Sequence, residues 1–289
     1  MGNRIAGDGC EMINPNCEKK PLKEIERSII KTYRSKLWTK FIKAIKDFEL
    51  IKEGDKVAVA ISGGKDSLLM AKLFQELQRH GKIKFEIEYI SMDPGFNEMN
   101  KKLLLDNCKY LNLPVKLFDS GIFEIVDRIA DDYPCYMCAR MRRGALYPAA
   151  QKLGCNKLAL AHHFNDVIET TLLNMFYSGT FKTMRPKLKS DHFKNMEIIR
   201  PLYYIYENDI KTYTKNNGIT SMNCGCIVAA KKTSSKRREI KELIKELKKR
   251  FPQIDKCIFR SAMNVNMNSI VGWQKDGKKY SYLDFYDKE

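Results

Sequence analysis

The stretch KVAVAISGGKDSLLM, residues 56–70, constrains the fold of this chain most strongly. Its first part, residues 56–61, is rich in valine and alanine and predicts a short buried strand. A helical spacing of apolar residues follows at Leu68, Leu69, Leu73 and Phe74. Between them, Gly63 and Gly64 lack Cβ atoms, so the backbone can approach a phosphate closely, and the helix points free N–H groups at the same place. The stretch predicts an anion-binding turn in an α/β fold.

The side chains of this turn suit a nucleotide, although a turn without any ligand is the alternative. Ser62 and Ser67 offer hydroxyls, Lys65 a positive charge, and Asp66 either a helix N-cap or a Mg²⁺ contact. The pattern S-G-G-x-D-S resembles the signature of the PP-loop pyrophosphatases. That resemblance implies cleavage of ATP between its α- and β-phosphates, which yields an adenylated substrate and pyrophosphate. The candidate ATP-binding residues are Ser62, Gly63, Gly64, Lys65, Asp66 and Ser67.

Strand and helix patterns alternate after this turn. They predict strands over 85–92, 115–118 and 157–161, and helices over 100–111, 136–153, 165–177 and 208–217. Repeated β-α units predict a parallel, doubly wound sheet with right-handed connections. Ligands bind outside the carboxyl ends of such strands. Asp93, directly after the second strand, is therefore a candidate nucleotide contact, with a turn through Pro94 and Gly95 as the alternative.

Four regions are expected along the chain: a flexible tail over 1–21, a basic helix over 22–50, the nucleotide-binding domain over 51–230, and a helical region and tail over 231–289. The basic helix repeats apolar residues at helical spacing. These are Ile25, Ile29, Ile30, Tyr33, Leu37, Phe41 and Ile42. Its opposite face carries Lys31, Arg34, Lys36, Lys40 and Lys43. In the run 231–250 the expected buried stripe is Ile240, Leu243, Ile244 and Leu247. Either basic face could lie along RNA or in water.

Charge indicates a polyanionic partner. The chain has 52 Lys and Arg against 35 Asp and Glu, a formal net charge of +17. Such an excess favours nucleic acid as the usual neighbour, although a solvated basic surface is the alternative. No apolar run approaches the ~20 residues that span a bilayer, and the first residues lack a signal peptide's apolar region, so we expect a cytoplasmic protein. In that compartment thiols stay reduced, and the nine cysteines are not expected to form disulfides.

The segment AHHFNDVIET, residues 161–170, follows the predicted strand 157–161. Its Asn165 and Asp166 could simply cap the next helix. It also resembles the PP-loop motif G-H-H-x-D-D-x-x-x-T, which lies against the ATP phosphates. Ala161 replaces the glycine and Asn165 replaces the first acid. His162 and Asp166 keep the pattern, so the resemblance implies a cofactor contact for His162 and a catalytic carboxylate at Asp166.

Two cysteine pairs have short spacings, Cys135 with Cys138 and Cys224 with Cys226. Such pairs occur as redox dithiols, in zinc sites, in iron–sulfur sites, or as buried residues. Three cysteines on a 4Fe-4S cluster would leave one iron open, and an open iron can hold a sulfide for sulfur transfer.

Taken together, the segments SGGKDS, CYMCARMRRGALY, AHHFNDVIETTLLNMFYSGTFKTMRPKL, IIRPLYYIYENDI and FRSAMNVNMNS resemble the bacterial tRNA 2-thiocytidine synthases, the tRNA-cytidine 2-sulfurtransferases. The resemblance implies the adenine nucleotide alpha hydrolase-like fold of PP-loop enzymes, with flanking N- and C-terminal helices. It also implies ATP, Mg²⁺ and a 4Fe-4S cluster as cofactors, and replacement by sulfur of the C2 oxygen of cytidine 32 in tRNA.

Matched residue by residue, the resemblance assigns Cys135, Cys138 and Cys224 as cluster ligands, with Cys226 as the alternative third ligand. Asp66, Asp166 and Cys224 become the catalytic candidates, and three arginines the candidate RNA contacts: Arg140, Arg142 and Arg143. A cysteine desulfurase or free sulfide would supply sulfur, and a homodimer is possible. This chain has N-C-G-C where the family shows P-C-x-x-C-G.

Two other functions stay open at this stage. The changed cysteine spacing and the C-terminal tail favour a PP-loop sulfurtransferase that acts on another tRNA base or on a small molecule. An iron–sulfur regulator that binds nucleic acid without turnover is the alternative from another class, because it needs only the cluster and the basic surface.

Overall fold

The computed structural model describes Pro15 and residues 17–120, 134–222 and 236–286, with the backbone alone for 134–140, 142 and 143. Its centre is a six-stranded sheet. The strands are β1 (Lys56–Ala60), β2 (Glu86–Asp93), β3 (Val115–Asp119), β4 (Lys157–Ala159), β5 (Lys187–Lys189) and β6 (Glu197–Ile199). Their order across the sheet is β3-β2-β1-β4-β6-β5, and all pairs are parallel except that of β5 with β6. The predicted doubly wound parallel sheet is confirmed.

The helices in chain order are α1 (Leu22–Ile30), α2 (Thr39–Asp47), α3 (Lys65–His80), α4 (Glu98–Tyr110), α5 (Pro134–Lys152), α6 (Phe164–Ser178), α7 (Glu207–Asn216), α8 (Lys236–Arg250), α9 (Ile254–Ser261) and α10 (Leu283–Tyr286). A π-helical segment, Arg34–Trp38, joins α1 to α2, and a 3-10 turn, Met267–Ser269, follows α9. A two-stranded hairpin, β7 (Gly272–Lys275) with β8 (Lys278–Ser281), precedes α10.

Alternation along the strands divides the core between the two faces of the sheet. In β1, Val57 and Val59 belong to the larger apolar cluster, with α1 to α4 and α6 to α9, whereas Ala58 belongs to the smaller cluster beneath α5. Successive side chains of a strand point to opposite faces, so one strand serves both clusters. Every residue from Val57 to Val59 is fully buried. This explains why the strand reads as a continuous apolar run rather than an alternating one.

The strand order reverses between β1 and β4. From β1 the chain moves outward through α3 and α4 to β2 and β3, and α5 then returns it to β4 on the other side of β1. A crevice opens at such a reversal beyond the carboxyl ends of the strands. The turn after β1 and the segment after β4 therefore meet, and these are the two segments with predicted nucleotide motifs.

The described structure corrects several details of the sequence interpretation. The basic helix predicted over 22–50 is interrupted between α1 and α2 by the π-helical segment. In α8, Ile240 and Ile244 are buried, but Leu243 is exposed, so the predicted stripe is too wide there. The short strands β5 and β6 and the hairpin were not predicted.

Part of the predicted N-terminal tail contacts the domain. The Lys20 N–H donates to the carbonyl of Asn217, and the Tyr110 hydroxyl donates to the Lys20 carbonyl at 2.5 Å. These bonds attach the segment before α1 to the ends of α7 and α4. Among the described helices, none is long and apolar enough to cross a membrane.

Candidate functional site

The turn between β1 and α3 is shaped by Gly63. Its φ of +79° lies in the left-handed region that favours glycine, and a Cβ there would come within 2.1 Å of the Met222 side chain. The Met222 N–H donates to the Gly63 carbonyl at 3.2 Å. The turn is thus held on one side by Met222, which pairs with Gly64 in an isolated β-bridge and which sequence reasoning did not place here.

The two serines of the turn bond to each other. The Ser62 N–H and hydroxyl both donate to the Ser67 hydroxyl oxygen, at 3.1 and 3.2 Å, and the Ser67 hydroxyl donates to the Gly64 carbonyl at 2.9 Å. Ser67 therefore closes the turn locally. The N-cap of α3 is Gly64, which has no side chain to accept a bond, so the expectation that Asp66 caps this helix is wrong. The first N–H groups of α3 have no partner within the helix.

Lys65 is 7 % exposed and lies between two acids, with its Nζ 3.0 Å from Asp66 Oδ2 and 3.5 Å from Glu207 Oε1. Burial lowers the pKa of Lys65, but these two carboxylates outweigh burial and raise it. Lys65 is therefore a buried cation at neutral pH. The other oxygen of Asp66, Oδ1, is buried and accepts no hydrogen bond from the described residues, although His163 Nε2 lies 3.8 Å away.

His163 and Asp166 form a capping box at the start of α6. The His163 N–H donates to Asp166 Oδ2 at 2.9 Å, and the Asp166 N–H donates to His163 Nδ1 at 3.4 Å. Burial would raise the pKa of Asp166, but His163 and Arg237 hold it below its ordinary value. Burial, and then the nearby Arg200, lower the pKa of His162 to about 4. His162 is thus neutral at pH 7, and its Nδ1 is buried without a bond from the described residues.

Asn165 has a structural role that the sequence did not reveal. Its side-chain oxygen accepts the N–H of Glu207 at 3.0 Å, so it ties α6 to the start of α7. An amide serves this bond as well as an acid would. The replacement of the family's first acid by Asn165 therefore keeps the position of Glu207, the residue that contacts Lys65.

Helix α8 supplies two cations that sequence reasoning missed. Arg237 lies 3.3 Å from both Asp166 Oδ1 and Glu169 Oε2, and Lys241 lies 2.7 Å from Glu207 Oε2. The sequence presented both residues as members of a long basic run, with no sign of which cations face inward. Burial, and then the nearby Asp166, raise the pKa of Glu169, which is 4 % exposed.

Asp93 stabilises the turn through Pro94 and Gly95, which was the alternative to its predicted contact with the nucleotide. Its Oδ1 accepts the N–H groups of Gly95 and Phe96 at 2.9 and 2.8 Å, and its Oδ2 lies 3.0 Å from Lys101 Nζ. Burial raises the pKa of Asp93, but the two N–H groups outweigh it and hold the pKa low. Both carboxylate oxygens have partners in this arrangement, and a nucleotide contact at Asp93 stays a prediction.

The predicted cluster and RNA residues are only partly within the described chain. Cys135 and Cys138 lie in the first turns of α5, whose described backbone follows β3, but their side chains, and those of Arg140, Arg142 and Arg143, lie outside the described residues. Cys224 and Cys226 lie outside them as well. Among the described residues, no group of three His, Cys, Asp or Glu side chains is arranged to hold a metal ion.

The cysteines with described side chains make poor metal ligands. Cys108 and Cys155 are buried, and burial raises their pKa values to about 12 and about 11. Their thiols stay protonated at neutral pH, whereas metal binding requires a thiolate. Cys17 and Cys257 are exposed and far apart in the sequence.

The geometry fits the triphosphate of ATP. The unpaired N–H groups of α3, the glycine turn and the Lys65 cation are grouped at one turn, and together they suit anionic oxygens. Asp66 Oδ1 and His162 Nδ1 are buried polar atoms without bonds from the described residues, as expected when a ligand supplies the partner. Asp66 Oδ1 can therefore hold Mg²⁺, whereas both oxygens of Asp166 already have partners in His163 and Arg237, and a Mg²⁺ contact there stays a prediction.

Comparison with known proteins gives consistent results. A family model of the PP-loop domain matches residues 33–223. The chain is 38% identical to a tRNA-cytidine(32) 2-sulfurtransferase of Pelobacter propionicus over 238 residues, which are 81% of this chain and 87% of that protein. It is 36% identical to the enzyme of the same name in Geobacter sulfurreducens over 226 residues, 77% of this chain and 87% of that protein.

Among solved structures, the chain resembles the U34-tRNA thiolase NcsA from Methanococcus maripaludis, determined with its 4Fe-4S cluster. The TM-score is 0.63 over 84% of this chain and 77% of that chain, at 23% sequence identity. This is a likeness of fold.

Proposed function

The chain belongs to the tRNA-cytidine(32) 2-sulfurtransferase family of PP-loop proteins, as its motifs predicted, and from this premise we propose that it is an ATP-dependent, iron–sulfur-dependent tRNA thiolase. Its substrate is a tRNA whose cytidine at position 32 exchanges the C2 oxygen for sulfur. The net charge of +17 supports a polyanionic substrate.

In the first half of the reaction, the C2 oxygen of the cytidine attacks the α-phosphorus of ATP, and pyrophosphate leaves. The start of α3 and Lys65 bind the phosphate oxygens and stabilise the negative charge that grows on the leaving pyrophosphate. Asp66 and Asp166 would hold the Mg²⁺ that accompanies ATP. His162 is neutral at pH 7, so it donates a hydrogen bond to ATP without adding positive charge to the site. In the second half, sulfide adds to C2, and AMP leaves with the original oxygen.

Cys135, Cys138 and Cys224 are the proposed ligands of the 4Fe-4S cluster, with Cys226 as the alternative third ligand. When bound, the cluster supplies an open iron that can hold sulfide. The observation that carries the proposal is the bond from Met222 to Gly63, because Met222 precedes Cys224 by only two residues. Chain geometry alone keeps the two Cα atoms within about 7.6 Å. Cys224, the proposed third ligand, is thereby close along the chain to the residue that bonds to the proposed ATP-binding turn.

Arg140, Arg142 and Arg143 follow the first cysteine pair on α5 and are the proposed RNA contacts near the cluster. The sulfur donor is a cysteine desulfurase or free sulfide. The enzyme acts in the cytoplasm, and a homodimer is its proposed assembly.

The test is complementation of a bacterial strain that lacks its own 2-thiocytidine synthase. We expect this gene to restore 2-thiocytidine in digested tRNA, measured by mass spectrometry of the nucleosides, and the Asp66→Ala variant to restore none. Absence of 2-thiocytidine with the unaltered gene would show that the substrate is another base or a small molecule. Pyrophosphate release with and without tRNA then separates those two. Full thiolation by Asp66→Ala would instead favour the non-enzymatic regulator.

A further inference from the structure

A second concave site, which we call the aromatic pocket, lies where α2, α7 and α9 approach the start of α6. Its volume is about 260 Å³, and its floor is formed by Phe164 and Phe259. Tyr204 and Tyr206 line its walls, and Lys256 and Arg260 line its rim. The volume is just below the ~300 Å³ at which small-molecule pockets begin, so the pocket has room for one small planar group rather than for a whole cofactor.

The lining presents stacking surfaces. Phe164 packs against Tyr206 with ring centroids 4.4 Å apart, and against Phe259 at 4.7 Å with the ring planes only 22° from parallel. The two phenylalanines are buried, whereas Tyr204 and Tyr206 are partly exposed. Tyr204 and Tyr206 thus remain partly accessible beside the packed floor of Phe164 and Phe259. Base-on-aromatic stacking is a general means of holding a nucleotide that has left its own stack.

The rim adds positive charge that the protein itself does not neutralise. Lys40 and Lys43 lie 4.2 and 5.3 Å from the ring centres of Tyr206 and Tyr204, and they are paired with Asp209 and Asp47. Lys256 and Arg260, in contrast, have no acidic partner among the described residues, and both are exposed. Two cations beside a stacking surface suit a ligand that carries a base and a phosphate together.

Two residues that line the pocket are adjacent in the sequence to residues of the ATP site. Phe164 follows His163 of the capping box, and Tyr206 precedes Glu207, the partner of Lys65. The Phe164 N–H donates to the Ile205 carbonyl at 3.0 Å, and the bond from Glu207 to Asn165 has the same length. These bonds fix the two segments side by side, so that a ligand in the aromatic pocket is adjacent to the adenylation site.

We propose that the aromatic pocket binds one unstacked nucleotide of the RNA substrate, with its base against Tyr206 and Tyr204 and its phosphate at Lys256 and Arg260. This inference rests on the proposed function for the identity of the RNA, and it assigns a binding surface outside the ATP and cluster residues. The nucleotide comes from a single-stranded loop, because a base within a duplex is already stacked and cannot enter.

The experiment measures equilibrium binding of unmodified tRNA to the full chain by fluorescence anisotropy over a series of salt concentrations. We expect the double variant Lys256→Gln/Arg260→Gln to lose about tenfold in affinity and to have a salt slope shallower by about 1 to 2. The matched control is Lys82→Gln/Lys84→Gln, which removes two exposed lysines at the amino end of β2. It should lose less than about twofold. Equal losses in the two double variants would overturn the phosphate contact.

Stacking is tested with Tyr206→Leu and Tyr206→Phe on two probes, an anticodon stem–loop and a fully paired RNA duplex. We expect Tyr206→Leu to weaken binding of the stem–loop about tenfold and to leave duplex binding unchanged, and Tyr206→Phe to bind both like the wild type. An equal effect of Tyr206→Leu on both probes would overturn the assignment of a base to the pocket. ATP binding measured by calorimetry reports that each variant is folded.

The outcomes separate this inference from the proposed function. If the wild type makes no 2-thiocytidine while the pocket variants still lose affinity for the stem–loop selectively, the proposed function fails and the pocket stands. If the wild type thiolates tRNA and the pocket variants bind and react as it does, the pocket fails and the function stands.

Discussion

The two ends of the parallel sheet each bury a lysine between acids, yet they differ in how completely their polar groups are paired. At the amino end, Lys157 is 3 % exposed and lies 2.6 Å from Glu197 and 3.5 Å from Asp55. Asn156 donates to Asp55 at 2.8 Å and accepts the Lys56 N–H at 2.8 Å. At the carboxyl end, Lys65 has a similar burial, but Asp66 Oδ1, His162 Nδ1 and Ser221 Oγ are buried without bonds from the described residues.

The difference teaches that concavity and buried charge do not identify a ligand site by themselves. A cavity of about 420 Å³ lies at the amino end, lined by Asp55, Lys157 and Glu197, and each of these side chains already has a partner within the protein. The carboxyl end has buried polar atoms left over. Burying a polar atom without a bond costs roughly 1 to 3 kcal/mol, a cost that a ligand bound at the carboxyl end would remove.

The largest expected effect comes from the same substitution at both ends. Asp66→Asn should lower tRNA-dependent pyrophosphate release by about 100-fold or more, because it removes a charge from the place where Mg²⁺ and phosphates bind. It should also lower the unfolding free energy, because the buried Lys65 loses one of its two acidic partners. The rate of pyrophosphate release is measured at saturating tRNA and reported as kcat/KM for ATP. Stability is measured by denaturant titration.

Asp55→Asn is the matched control for Asp66→Asn. It leaves Lys157 with one acidic partner fewer, so the unfolding free energy should fall by about 2 kcal/mol while kcat/KM stays within about twofold of the wild type. If Asp55→Asn impaired pyrophosphate release as strongly as Asp66→Asn, the distinction between the two ends would be wrong.

The next effect concerns acid stability. Burial would raise the pKa of Glu207, but the hydrogen bond from Lys241 and the charge of Lys65 lower it to about 2. A carboxyl whose pKa is lower in the folded state than in the unfolded chain stabilises the fold above pH ~4.5, and that contribution is lost as the pH falls towards 2. Between these pH values the wild type should lose up to roughly 3 kcal/mol more unfolding free energy than Glu207→Gln.

Glu197→Gln is the corresponding variant at the amino end. The pKa of Glu197 is also low, because Lys157 and Lys187 outweigh its burial, but this carboxyl is more exposed than that of Glu207. Compared with Glu207→Gln, Glu197→Gln should therefore remove less of the loss of unfolding free energy that the wild type shows at acid pH. Unfolding is measured at constant ionic strength from pH 5 to pH 2, and identical acid limbs for Glu207→Gln and the wild type would contradict the prediction.

The smallest expected effect distinguishes the cost of backbone strain from the cost of a steric contact with Met222. Gly63 and Gly54 have nearly the same φ, +79° and +77°, but an added Cβ meets Met222 only at Gly63 and finds open space at Gly54. Gly54→Ala should therefore cost about 1 kcal/mol of unfolding free energy, the strain of the left-handed region alone. Gly63→Ala should cost about 2 kcal/mol and should also weaken ATP binding.

Met222→Ala in the Gly63→Ala background completes this test. Removing the Met222 side chain should relieve the contact and leave only the strain, so the double variant should differ from Met222→Ala by about 1 kcal/mol, as Gly54→Ala differs from the wild type. Calorimetric ATP titration and thermal unfolding are the measurements. No difference between Gly54→Ala and Gly63→Ala would show that Met222 yields without cost.

The sequence by itself determined the features that depend on neighbouring residues. The apolar run at Val57–Val59 specifies a buried strand, the two glycines a turn whose backbone can approach a phosphate, and Leu68 to Phe74 a helix. These preferences act within a few residues. The alternation of such units then predicts the parallel sheet and its ligand-binding edge. The sequence motifs also predicted the family to which the chain belongs. The strands β5 and β6 were not predicted, because each has only three residues and no helix separates them, whereas the equally short β4 lies between two predicted helices.

Only the tertiary structure decided which distant side chains meet. Periodicity indicates that a residue of α8 is exposed, but it does not show that Arg237 reaches Asp166, or that Leu243 lies outside the buried stripe. Asn165 resembles a lost acid in the sequence and is a cap for α7 in the fold. The aromatic pocket takes its lining from four segments separated by dozens of residues. Such contacts are set by the packing of whole helices, and packing depends on all the surfaces in contact rather than on the local order of residues.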